Sequence, residues 1–173
     1  DDRADWSDAW RLFPGDVIYS WHPAKGATSL IHADALQKAG FELRIQIIWA
    51  KPQFVIGRGD YHVQHEPCWY AVRKGKAACR TDDRTQTTLW TIALDKNIEG
   101  GHSTQKPVEC MARPIRNHMF MEVYDPFLGS GTTMVAAEQL GRICYGMDIS
   151  PPYIAVALQR MADMGLEPRL AEN

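Results

Sequence analysis

The clearest chemical signal lies in one run, Asp125-Pro126-Phe127-Leu128-Gly129-Ser130-Gly131-Thr132-Thr133. Two glycines two apart let a backbone approach a ligand closely and let the following helix pack tightly on its strand. The helix that opens there presents free N–H groups to a carboxylate or phosphate. Thr132 and Thr133 either line that site or cap the helix. Asp148 follows Gly129 by 19 residues, where a ribose-binding carboxylate belongs in nucleotide-cofactor folds. Together these residues read as a site for a nucleoside-bearing cofactor. The third glycine of the dinucleotide fingerprint is missing, since Thr133 and Met134 stand in its place. That argues against a nicotinamide dinucleotide.

The elements that must position this loop can be read from pattern. Glu122–Asp125 is expected as a strand, Thr132–Leu140 as a helix closed by Gly141, Ile143–Met147 as the next strand and Ser150–Met164 as a helix. One β-α-β-α unit of this kind implies an open, mostly parallel sheet with helices on both faces. Upstream, Trp6, Ala9, Trp10 and Phe13 have helical spacing, broken by Pro14-Gly15-Asp16. Val17–Trp21 reads as a buried strand. Thr28–Ala39 reads as a helix with Leu30, Ile31, Ala35, Leu36 and Ala39 on its apolar side. Strands are expected over Leu43–Trp49, ended by Lys51-Pro52, over Cys68–Val72 and over Thr87–Ile92, with a cationic turn at Arg73–Lys76. Residues 95–103 read as a flexible loop. A helix starts near Pro107 and runs towards His118, with a kink or an early end expected at Pro114.

Two further clusters carry weaker signals. From Arg44 to Arg84 the sequence holds eight Lys or Arg against four acids, with Phe54, Tyr61, Trp69 and Tyr70 interleaved. Such a patch suits phosphate contacts, and many solvated loops share its composition. His62, His65 and Glu66 lack a third ligand at metal spacing and read as loop hydrogen-bonders, so no metal is expected.

The chain has 173 residues, 45% hydrophobic and 23% charged, with a formal net charge of −2. That composition excludes a disordered tail, a collagen-like repeat and a coiled coil, and bulk charge does not drive nucleic-acid binding. Cys68, Cys79, Cys110 and Cys144 form no C-x-x-C pair. They read as reduced thiols, Cys68 and Cys144 as small core residues. No apolar run approaches the roughly 18 residues a membrane span needs, and no secretory leader opens the sequence. A cytoplasmic protein is expected.

Taken with His102-Ser103-Thr104-Gln105-Lys106-Pro107 just before it, the glycine loop resembles the amino-methyltransferases of DNA. These methylate N6 of adenine or N4 of cytosine from S-adenosylmethionine. The order of the two elements is similar to that of the permuted β class. Gly59–Tyr70 and Asp83–Trp90 look like the middle segment of phage and bacterial members, so the resemblance spans nearly the whole chain. It implies a Rossmann-like S-adenosylmethionine-dependent methyltransferase fold in one domain, 1–173. Within it, 1–94 would be a middle segment, 95–103 a loop and 104–173 the cofactor-binding part. It also implies that Asp125, Phe127, Gly129 and Gly131 line the cofactor pocket, with Thr132 and Thr133 beside them. Asp148 would take the ribose hydroxyls. Thr104, Gln105 and Lys106 would close the methionine end, with Lys106 or nearby N–H groups facing its carboxylate. DNA is the implied partner, in a bacterial or phage-infected cell and in restriction-modification. A homodimer fits the resemblance, because many relatives pair, and no membrane is involved.

Such enzymes transfer the methyl through an Asp/Ser-Pro-Pro-Tyr/Phe motif. Its oxygen and proline carbonyl accept hydrogens from a poorly nucleophilic exocyclic amine, and its ring stacks the flipped base. In the β-class order this motif precedes the strand at Val17, so it is expected before residue 1, and the chain reads as N-terminally shortened. Ser150-Pro151-Pro152-Tyr153 matches the letters but follows the strand after the glycine loop. A helix start explains it. The catalytic group is left unassigned, Ser150 and Tyr153 being the candidates. A non-catalytic cofactor- or DNA-binding remnant is the alternative, and a nicotinamide-dependent oxidoreductase a third reading.

Overall fold

A computed structural model of the chain describes residues 5–94 and 105–171. The loop expected over 95–103, and Thr104, lie outside the described residues. The chain divides into two compact units. One holds the chain up to Ala78 together with Asp82–Ala93, and the other Cys79–Thr81 with the chain from Leu94 onward.

The first unit contains α1 (Ser7–Leu12), β1 (Val17–Trp21), α2 (Thr28–Lys38), β2 (Phe41–Val55), β3 (Val63–Arg73) and β4 (Leu89–Thr91). Its sheet has the order β1-β3-β2-β4. β3 runs antiparallel to both β1 and β2, and β4 runs parallel to β2. Three strands therefore share one direction and β3 opposes them. The expected parallel character holds only in part, because the connection between β2 and β3 is too short for a crossover and forces a hairpin. β2 also continues through Pro52 instead of ending there. Its register with β3 shifts between Ala50 and Val55, and a proline without an N–H to donate is tolerated at such an irregularity.

The core of this unit gathers Trp10, Ile18, Ala35, Leu36, Ala39, Phe41 and Ala71. On α2 the buried stripe is Thr28, His32, Ala33, Ala35 and Leu36, whereas Leu30 is 71% exposed. The expected apolar side is thus rotated, because polar Thr28 and His32 sit inward with internal partners. Thr28 Oγ1 donates to Lys25 O at 2.6 Å, and His32 Nδ1 lies 3.0 Å from Ser20 Oγ. The His32 and His22 rings stand 5.3 Å apart, and both residues are buried.

Burial, and next to it the neighbouring His22, pushes the His32 pKa down to about 4. Burial lowers that of His22 too. A histidine whose folded pKa lies below its unfolded value favours the folded state above about pH 6.5. That advantage shrinks as pH falls, because the unfolded chain takes up protons the folded one refuses. Chemical denaturation at pH 7.5 and pH 5 is expected to show a loss of about 2 kcal/mol from His32 at the lower pH. Most of that loss should vanish in His32→Gln.

The second unit contains α3 (Val108–Arg116), β5 (Glu122–Asp125), α4 (Thr132–Gln139), β6 (Ile143–Gly146) and α5 (Pro151–Asp163). β5 and β6 pair in parallel, Asp125 opposite Gly146. Ala112 and Ile115 of α3 pack on Ala136 and Ala137 of α4, with Val123, Leu140 and Cys144 against them. Pro114 neither ends α3 nor begins a loop, since the helix runs on to Arg116. Only the N–H that would have served Cys110 O is missing. Pro107 stands just outside the helix, at its N-cap position. All four cysteines are free thiols; Cys68 and Cys110 are buried, Cys79 is exposed, and Cys144 is half-buried rather than fully in the core.

Candidate functional site

β5 delivers Asp125 to the mouth of the glycine loop, and its carboxylate ties both ends of that loop together. Asp125 Oδ1 accepts the Phe127 N–H at 3.0 Å, and Oδ2 accepts the Thr133 hydroxyl at 2.5 Å. Thr133 therefore secures Asp125 and does not cap α4, whose N-cap is Gly131 with no side-chain cap. Thr132 Oγ1 lies 3.4 Å from Arg160 Nη1, which also donates to Ser130 O at 2.8 Å. Gly131 is required twice over. Its φ is +82°, and a Cβ built there would stand 2.8 Å from Ala157 Cβ of α5.

The strand pairing continues past β6. The Met147 N–H donates to Asp125 O, and the Leu128 N–H donates to Met147 O, both at 3.0 Å. Asp148 is thereby set across the loop. Its Oδ2 accepts the Gly129 N–H and its Oδ1 the Ser150 N–H, each at 2.8 Å. A carboxylate oxygen has two acceptor positions, so each oxygen of Asp148 keeps one for a ligand hydroxyl. Met147 and Ile149, the neighbours of Asp148 in sequence, are exposed, Ile149 at 99%, and so is Phe127 of the loop. Ile149 and Arg160 escaped the sequence reading; only the position of Ile149 next to the acid could have flagged it.

Gln105 and Lys106 lie just before α3, which packs on α4. Gln105 Oε1 is buried without a hydrogen-bond partner among the described residues. Ser150 is the N-cap residue of α5 by backbone, and its carbonyl accepts the Ile154 N–H at 3.1 Å. Its side chain makes no cap bond, so the expected capping is done by main chain alone. Pro151 and Pro152 open α5 and carry Tyr153 into its first turn. Burial, with the Asp125 charge second, raises the Cys144 pKa to about 12. It is a thiol at neutral pH, with no role as a nucleophile.

In the first unit the basic segment is partly consumed by the fold. Arg44 pairs with Glu42 at 3.0 Å and Lys51 with Glu66 at 2.6 Å. Arg73 donates to Gly15 O and Phe13 O and lies 3.4 Å from Asp16. His62 Nδ1 accepts the Gly57 N–H at 3.2 Å within its loop. Among the described residues no group of three or more His, Cys, Asp or Glu could hold a metal ion.

Residues 12–159 match a family model described as DNA methylase. The chain belongs to that family. The nicotinamide oxidoreductase reading is thereby set aside. The chain is 31% identical over 144 residues to the type II methyltransferase M2.DpnII of Streptococcus pneumoniae, covering 73% of this chain and 54% of that protein. It spans about half the length of the curated relatives it matches. Among solved structures, the M1.HpyAVI–SAM complex matches with a TM-score of 0.71 and 27% identity, over 86% of this chain and 76% of that one. The cytosine-N4-specific PvuII DNA methyltransferase shares the fold, with a TM-score of 0.64 at 17% identity over 90% of this chain and 64% of that one. The chain thus has the Rossmann-like fold expected from its sequence. No helix among its described residues is long and apolar enough to cross a membrane.

Proposed function

We propose that this DNA methylase uses S-adenosylmethionine to methylate an exocyclic amine in DNA, N6 of adenine or N4 of cytosine. The observation that carries the reading is Asp148, anchored across the glycine loop with acceptor positions to spare, in a chain matching the family over residues 12–159. The remaining acceptor positions of Asp148 suit the two ribose hydroxyls. Phe127 of the loop and Ile149, next in sequence to Asp148, are exposed and apolar and suit the faces of an adenine ring. Gly129 and Gly131 keep the loop low enough for a ligand to lie on it. Thr132 and Thr133 lie beside the pocket and also hold the loop in place, Thr133 through Asp125 and Thr132 through Arg160. The orphaned Gln105 Oε1 suits the ammonium of the methionine end, and Lys106 with Thr104 its carboxylate. The cofactor supplies a methyl group on a sulfonium, an electrophile that needs no activation by the protein.

The chain's own task is to hold that ligand and exclude water around it. Ser150 and Tyr153 stay outside the proposed chemistry, because Asp148 and the start of α5 account for their placement. The reading includes the two units working as one domain, DNA as partner in the cytoplasm, and a homodimer that sedimentation would reveal.

Calorimetry with S-adenosylmethionine, S-adenosylhomocysteine and NAD is expected to show the first two binding and NAD not. Binding of NAD alone would sink the reading. Transfer of a radiolabelled methyl to DNA, recovered after digestion as N6-methyladenine or N4-methylcytosine, tests the reaction. Absence of any labelled base, with cofactor bound, would favour the non-catalytic alternative.

Gln105→Leu offers a sharper check on the methionine end. Gln105 Oε1 has no partner among the described residues, so its loss breaks no hydrogen bond among them and the melting temperature should hold or rise. Affinity for S-adenosylmethionine should fall by about tenfold, one hydrogen bond to a charged group. Unaltered affinity would remove Gln105 from the site.

A further inference from the structure

The segment joining β2 to β3 has an exposed surface that the fold does not explain. Ile56 is 82% exposed, Tyr61 90% and Phe54 52%, an unusual concentration of apolar groups for a hairpin tip. The base of the tip is held. The Phe54 ring stacks on His62 with centroids 5.0 Å apart and planes 10° apart, and His62 Nδ1 accepts the Gly57 N–H. Two glycines flank Arg58, yet neither is demanded by the chain. Gly57 and Gly59 lack a left-handed φ, a Cβ at Gly57 would meet nothing within 4 Å, and one at Gly59 only Tyr61 O at 3.9 Å. Glycine that no turn or neighbour requires is what a backbone needs when something outside comes close.

We propose that this tip is a wedge for duplex DNA, setting Tyr61 and Ile56 against base faces while Arg58 holds the neighbouring phosphate. The proposal rests on DNA as the substrate, as argued above. Three observations favour DNA over a protein surface. A solvated aromatic beside an aliphatic side chain is the chemistry that unstacks and covers bases. Arg58 is exposed and makes no salt bridge among the described residues. In a chain of net charge −2, Arg44, Lys51 and Arg73 are engaged by the fold, which leaves Arg58 as the cation at the tip. The tip itself also carries Asp60, so its own charge is balanced, and insertion rather than bulk attraction is the contribution it makes.

The test is fluorescence anisotropy of the protein on a labelled mixed-sequence duplex, with S-adenosylhomocysteine present. Tyr61→Ala and Ile56→Ala are each expected to weaken binding on the order of tenfold. Tyr61→Phe, which keeps the ring, should stay within about twofold of the parent. Arg58→Ala should reduce the slope of log affinity against log salt by about one. Affinity for S-adenosylhomocysteine and the melting temperature should not move in any variant, because the altered side chains are solvent-exposed. Parent-like duplex binding by both alanine variants would overturn the wedge and leave the methyltransferase reading intact. A change in sedimentation without a change in duplex affinity would overturn it too, and mark the tip as a contact between copies. Failure of the parent to bind either duplex or S-adenosylhomocysteine would overturn both readings together.

Discussion

Asp148→Ala is expected to reduce affinity for S-adenosylmethionine at least about a hundredfold and to lower stability in the same variant. The carboxylate performs two tasks at once. It accepts main-chain N–H groups from Gly129 and Ser150, and in the proposed function its remaining acceptor positions take the ribose hydroxyls. Hydrogen bonds to charged groups contribute about 1.5–3 kcal/mol each, so losing two to a ligand accounts for the affinity. Losing the pair to the main chain releases the loop from the start of α5 and adds a folding penalty of similar order. Asp148→Asn separates the tasks. Its amide oxygen serves one N–H, while its NH2 group faces the other donor, so the loop is disturbed even though the shape is kept. Calorimetry beside thermal denaturation reads both losses. Parent-like cofactor affinity in Asp148→Ala would remove the residue from the ligand site, whatever the stability showed.

The second large effect is on folding. Gly131→Ala should destabilise the protein by about 2–5 kcal/mol. The left-handed conformation costs a non-glycine residue about 1–2 kcal/mol, and overpacking adds about 1–3 kcal/mol. The new methyl would stand 2.8 Å from Ala157 Cβ, on a helix that cannot retreat without moving Met161, which is also buried. Ala157→Gly should relieve the methyl contact but leave the one at 3.1 Å to the residue 157 Cα and the conformational part, so the double variant should regain less than half. Urea midpoints for the four proteins of that cycle decide the matter. Full recovery would show that φ at residue 131 costs nothing, and no recovery that α5 is not the obstacle.

What could be read from the sequence was whatever rests on local pattern and turn chemistry. Val17–Trp21 is a strand with the expected ends. The run from Glu122 to Asp163 forms the expected strand, loop, helix, strand and helix, because glycines and prolines mark most of its boundaries. What could not be read depends on contacts between distant residues. Ser20 makes it tolerable for His32 to point inward, and nothing in the spacing of α2 reveals Ser20. Pro52 ought to end a strand, and only the irregular pairing of β2 with β3 lets the strand pass it. In the site, the types of Asp125 and Asp148 were legible, but their engagement by four donors of the same loop region was not. The threonines do not cap α4, and their bonds to Asp125 and Arg160 depend on residues in other elements. The orphaned oxygen of Gln105 is a property of its surroundings, invisible in the letters around it.

The distribution of the four sulfhydryls has a practical outcome. Two are enclosed, and the one beside Asp125 holds its proton up to about pH 12. A maleimide dye therefore has a single ready address, Cys79, which belongs to the same unit as Asp125 and Asp148. This chain can carry a reporter for ligand uptake without any engineered attachment point.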